Sequence, residues 1–228
     1  MPGMNETQAR DAICAIGESL YARGYVHATA GNISVRLDDG GFLITPTDAC
    51  LGRLEPQRLA RLDADGRQLG GDRASKTIAL HRAIYAATHA AGHAAGCVLH
   101  THSTHSVALT MRGRPAAQEA ELLPALTPYF VMKVGRVPLL PYHRPGDPAV
   151  APLVAERIAA YAARGIHLRA VMLSRLGPNV WHDNPASAAA VLEELEETAR
   201  LALLVQEGVE PLGDTQVQEL QDAFGASW

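Results

Sequence analysis

Two turn signals, Asp38-Asp39-Gly40-Gly41 and Asp63-Ala64-Asp65-Gly66, each stand between short apolar runs, and they constrain the fold more than any other feature of the chain. Glycine accepts the positive φ that tight hairpin turns demand, and aspartate closes them with hydrogen bonds to the backbone. Residues 32–37 and 42–45 flank the first turn, and 59–62 and 67–69 the second. Two successive hairpins predict a mostly antiparallel sheet rather than a doubly wound parallel one. Residues 97–100, Cys97-Val98-Leu99-His100, read as a short strand buried on both faces, and 131–140 and 168–173 as further strands. Helical spacing over residues 6–23, with Ala9, Ile13, Ile16 and Leu20 in phase and Gly24 as a stop, predicts a first helix. Residues 75–90, 150–163 and 186–205 read as further helices, the last after the start signal Asn184-Pro185. The expectation is one α/β domain over residues 1–228, a central sheet with helices on both faces, and a short C-terminal tail from about 206. At 228 residues and 47% hydrophobic, the chain can bury one sizeable core.

Charge and cysteine content narrow the function classes. The formal net charge is −4 with no basic block, which argues against nucleic acid and anionic membrane as partners. No apolar run approaches the roughly 18 residues a membrane span needs. The start, Met1-Pro2-Gly3-Met4-Asn5-Glu6, has no basic region followed by an apolar stretch, so no signal peptide is expected. Cys14, Cys50 and Cys97 are odd in number and scattered, which points to a reducing compartment and a cytoplasmic protein. The acidic run Glu193-Glu194-Leu195-Glu196-Glu197 reads as a solvated helix face.

The chemistry-bearing residues come in four segments. His100-Thr101-His102 stands at a strand end, where side chains two apart point the same way, so two imidazoles can converge on one divalent ion. The alternative is a pair of ordinary polar residues. His105 follows closely. Upstream, Gly31-Asn32 opens a strand, Thr45-Pro46-Thr47 closes one, and Ser75-Lys76-Thr77 lies at a helix N-terminus. Unpaired N–H groups, hydroxyls and an ammonium together suit a phosphate, although each segment alone reads equally as a turn or a cap.

In this order the segments resemble the class II aldolase and adducin head family, over roughly residues 8–205. The nearest subgroup is that of the 3-oxo-tetronate 4-phosphate decarboxylases, which residues 129–136 (Tyr-Phe-Val-Met-Lys-Val-Gly-Arg) and the Glu193–Glu197 run also resemble. The resemblance implies the three-layer class II aldolase-like fold and a metal-dependent lyase acting on a small phosphorylated sugar or sugar acid. It implies a divalent metal, Zn²⁺ by preference, on His100 and His102, and phosphate on Asn32, Thr47, Ser75 and Lys76. It further implies Tyr129 as a proton donor lent by a neighbouring subunit, in a homotetramer.

Two positions depart from the family pattern. The family's acid/base glutamate has its place at Thr77, and its third metal histidine at Leu176, beside Arg175. Threonine takes no proton at neutral pH, and leucine ligates nothing. A metal held by two imidazoles is expected to be weakly bound or absent, unless His105 or His143 moves in. The alternative function is therefore a non-catalytic relative that binds a phosphorylated or acidic small molecule, or partners an active paralogue.

Overall fold

The computed structural model describes residues 4–112, 120–205 and 208–228. Residues 1–3, part of the chain start read for a leader, and residues 206–207, where the tail is expected to begin, lie outside them. In chain order the elements are α1 (Glu6–Ala22), β1 (Asn32–Arg36), β2 (Phe42–Ile44), β3 (Ala60–Leu62), β4 (Gln68–Gly70), α2 (Ile78–Ala90), β5 (Cys97–His100) and α3 (Thr104–Leu109). They continue with a π-helical turn (Phe130–Val134), β6 (Leu139–Leu140), α4 (Val150–Ala162), β7 (Ala170–Leu173), β8 (Gly177–His182), α5 (Pro185–Val205) and α6 (Asp214–Phe224).

The strands form one sheet in the order β4-β3-β2-β1-β5-β8-β7-β6. Every neighbouring pair is antiparallel except β6–β7, which is parallel. The alternation of side chains along each strand sorts the core into two layers. Ile33, Val35, Cys97, Leu99, Met172 and Val180 face α1, α3 and α5, packing on Ile13, Leu109 and Leu195. Ile44, Leu62, Val98, Val171 and Trp181 face α2 and α4, packing on Ile84, Val154 and Ile158. The mostly antiparallel sheet between two helical layers is the architecture the hairpin signals predict.

Three local expectations change, and one central strand, Gly177–His182, has no counterpart in the sequence reading. Residues 131–140 are not a single strand: Phe130, Val131 and Val134 are fully buried at helical spacing. Gly135, at φ 78°, ends that turn with its N–H on the Phe130 carbonyl, and only Leu139–Leu140 joins the sheet. The β-branched residues favour a strand locally, and contacts such as Phe130 on Trp228 override them. Gly177–His182, by contrast, is a central strand although Pro178 argues against one. Pro178 sits near the start of β8, and its carbonyl accepts from Thr101 N–H. The helix expected from Ser75 starts at Ile78. Finally, Glu196 is not part of a solvated face: only 3% of it is exposed, on the core side of α5.

Candidate active site

The site is built at one end of the three central strands. Register places Asn32 of β1 opposite His100 of β5, and Asn179 of β8 opposite His100 on its other side. All three share the face that carries α2, as Ser34 does, whose hydroxyl lies 2.7 Å from His81 Nδ1 and 2.9 Å from the Tyr85 hydroxyl. Two glycines make the close approach possible. A side chain at Gly31, φ 88°, would come within 2.8 Å of the His100 carbonyl, and one at Gly177, φ 142°, within 1.9 Å of the Thr101 carbonyl.

Backbone pairing sets the segment of Thr47 beside that of Ser75. Pro46 and Ala74 form an isolated bridge, Thr47 N–H donates to the Arg73 carbonyl and Ser75 N–H to the Thr45 carbonyl. The Ser75 hydroxyl donates to Thr77 Oγ1 at 3.3 Å, and Asn32 Nδ2 donates to the same oxygen at 3.3 Å. Thr77 is thus the link between the hydroxyl segment and the imidazole row. The Thr47 hydroxyl turns to the Ala74 carbonyl at 3.0 Å, and Thr47 also lines an open cleft of about 370 Å³ with Arg53, Arg58 and Arg73. Lys76 is exposed, and its side chain makes no hydrogen bond or ion pair among the described residues. Tyr129 is 63% exposed, at the start of the π-helical turn, and no hydrogen bond among the described residues joins it to this row.

The imidazoles suit a cation as far as they go. His100 Nδ1 lies 3.0 Å from the Pro178 carbonyl, which fixes the proton on Nδ1 and leaves the Nε2 lone pair free. Burial, reinforced by neighbouring His102, lowers the His100 pKa to about 4, so the ring stays neutral. Burial and then His27 lower that of His102. The His100 and His102 ring centres are 5.1 Å apart. Two rings on one tetrahedral ion, with metal–nitrogen bonds of roughly 2.0–2.1 Å, need a separation of about 5 Å. His27 is the next ring, 6.3 Å from His102. As the side chains lie, no group of three His, Cys, Asp or Glu among the described residues can hold an ion.

The substitutes raised by the sequence are engaged elsewhere. His105 Nδ1 lies 2.8 Å from Glu196 Oε1, and His143 Nδ1 lies 3.2 Å from Asp147. Leu176 packs on the apolar layer under α2 and α4.

Comparison with known proteins places this geometry. The profile of the class II aldolase and adducin N-terminal domain matches residues 11–203. The chain belongs to the class II aldolase family. A 3-oxo-tetronate 4-phosphate decarboxylase of Cupriavidus necator is 53% identical, covering 98% of this chain and 99% of the relative. One of Escherichia coli K12 is 39% identical, covering 94% and 92%. Among solved structures, YgbL of Klebsiella pneumoniae superposes with a TM-score of 0.82 at 38% identity, covering 96% of this chain and all of YgbL. The l-fuculose-1-phosphate aldolase of Thermus thermophilus gives 0.71 at 27% identity, covering 90% and 98%. The class II aldolase architecture expected from the ordered motifs is therefore the observed one. No helix among the described residues is long and apolar enough to cross a membrane.

Two features of the site escape the sequence reading. Asn179 carries no motif, and only strand register reveals it beside His100. His81, which no motif contains, is fully buried next to His100. Burial first and His100 second lower its pKa to about 3. Its helical phase with Ile84, Tyr85 and Thr88 on α2 is the signal that could have marked it as facing the sheet.

Proposed function

We propose that this chain is a metal-dependent lyase that decarboxylates a 3-oxo-tetronate 4-phosphate, leaving dihydroxyacetone phosphate. The observation that supports the reading is that register and hydrogen bonds join Asn32, Ser75 and Thr77 to His100. Asn32 stands opposite His100, and its amide meets the Ser75 hydroxyl on Thr77. The name carried by the 53% identical relative supports the same substrate.

The chemistry fits the two departures from the family pattern. A 3-oxo acid releases CO₂ when the electron pair of its C1–C2 bond can flow onto the C3 carbonyl oxygen, and C2 then takes up one proton. That sequence needs an electron sink and a proton donor, and no base to remove a proton from carbon. Thr77 in place of a carboxylate removes a negative charge that would oppose the substrate's own. A divalent metal, Zn²⁺ by imidazole's preference, would be held by His100 Nε2 and His102 and would supply a Lewis acid for the C3 oxygen. The remaining roles belong to the chain's other residues. Asn32, Thr47, Ser75 and Lys76 hold the phosphate, and the neutral His100 keeps its lone pair available at neutral pH. Tyr129, exposed in the single chain, donates the proton to C2 when a neighbouring subunit of a homotetramer presents it.

The test is to supply a 3-oxo-tetronate 4-phosphate with Zn²⁺ and follow CO₂ and dihydroxyacetone phosphate. Stoichiometric release of both is the expected result. Tight binding of the substrate without turnover would replace the enzyme by a phosphorylated-acid binder. Light scattering is expected to give a tetramer, and a monomer would remove Tyr129 from the mechanism.

A further inference from the structure

Asn179 is 0% exposed, and neither its Oδ1 nor its Nδ2 has a hydrogen-bond partner among the described residues. A buried carboxamide in that state is costly, because it has given up its water and gained nothing. Four of the six such atoms among the described residues cluster here: both of Asn179, Asn32 Oδ1 and His81 Nε2. The cluster surrounds His100. Elsewhere on this face the neighbours of Asn179 are Val98, Val171 and Trp181, so a branched aliphatic residue would pack at that position without a polar penalty. Fold stability therefore does not account for the amide.

The order of side chains across the sheet gives it a use. Asn32, His100 and Asn179 stand on three adjacent strands. With strands about 4.8 Å apart, the row is roughly 10 Å long, comparable to an extended four-carbon chain with a phosphate at one end. Asn32 and Ser75, joined through Thr77, mark the phosphate end of the row. His100 marks the middle, where the carbonyl lies. Asn179 occupies the far side of His100. We propose that the Asn179 carboxamide binds the carboxylate end of the substrate, Nδ2 donating to a C1 carboxylate oxygen. This assignment rests on the proposed decarboxylase reading and deepens it, making Asn179 the residue that distinguishes a phosphorylated acid from a phosphorylated ketone.

The test compares two ligands by calorimetry. One is a tetronate 4-phosphate, the reduced form of the substrate, which keeps the carboxylate and does not decarboxylate. The other is dihydroxyacetone phosphate, which lacks it. Asn179→Leu is expected to weaken the tetronate phosphate roughly 10- to 100-fold, the worth of hydrogen bonds to a charged group, and to leave dihydroxyacetone phosphate within about 2-fold. The variant's Tm is expected to rise, since an unpaired buried amide is replaced by an apolar group of similar size. Should Asn179→Leu fail to fold, Asn179→Ser is expected to show the same selective loss. Equal losses for both ligands, or none for either, would overturn the assignment while leaving the decarboxylase reading intact. Unmodified protein that binds neither ligand would sink that reading, and the role of Asn179 with it.

Discussion

The segment from His100 to Ser106 serves two buried polar clusters on opposite faces of the sheet, and they are built on opposite terms. On the α5 face the Glu196 carboxylate accepts from His105 N–H at 2.8 Å, Ser106 N–H at 3.0 Å and the Ser106 hydroxyl at 2.7 Å, and its Oε1 meets His105 Nδ1. No buried side-chain polar atom there lacks a partner, so the cluster behaves as a clamp on the first turn of α3. On the α2 face, Asn32, His81 and Asn179 leave polar atoms unpaired around His100. On the proposed reading the saturated cluster is scaffold and the unsaturated one is where the ligand binds. The short chain between the clusters ties the imidazole pair to the rigid side.

The sharpest way to break this contrast is to remove one group from each cluster. His100→Ala is expected to lower kcat/KM by about 10²–10³-fold, the scale of losing a group that stabilises developing charge, with little loss of Tm. Steady-state kinetics with a melting curve checks both parts. Glu196→Ala is expected to act the other way round. It strands several donors and should cost about 2–4 kcal/mol of stability by urea denaturation, while the folded fraction retains its substrate KM. Similar profiles for the two variants would erase the distinction between clamp and site.

A smaller effect sharpens the ligand side. Leu176→His combined with Thr77→Glu is expected to raise Zn²⁺ affinity by about 10–100-fold in a competition assay with a chelator. If the unmodified protein already holds one Zn²⁺ per chain through dialysis, a further residue completes the coordination, and His27 is the next imidazole in space.

The last effect is one of pH. His81 and His100 have folded pKa values lowered to about 3 and about 4. The unfolded chain therefore binds more protons than the folded one as pH falls below about 6.5, and stability declines from there toward pH 4. The slope is expected to reach up to about 1.4 kcal/mol per pH unit for each histidine. Denaturant midpoints at pH 7, 6 and 5 check this.

The chain's local grammar determined the layering. The hairpin turns after β1 and β3 permit only an antiparallel meander, and the apolar periods of α1, α2 and α4 leave those helices no option but to cover a sheet. Ordered motifs carried the family, because Gly31-Asn32, Ser75-Lys76 and His100-Thr101-His102 each need their residues for short-range reasons: close backbone approach, hydroxyls beside a helix start, and side chains two apart on a strand. The partners of those motifs were decided only in three dimensions. That Asn179 flanks His100 is a matter of strand register over 79 positions of chain, and a buried asparagine has no local signature. That Glu196 clamps α3 rather than facing water depends on which side of α5 meets the sheet, which an acidic run conceals. The turn at Phe130–Val134 followed from tertiary contacts that outweigh the β preference of its valines. Local sequence fixes what each segment can be. Register and packing, which sum many weak contacts between segments distant in the chain, decide which polar atoms find partners and which do not.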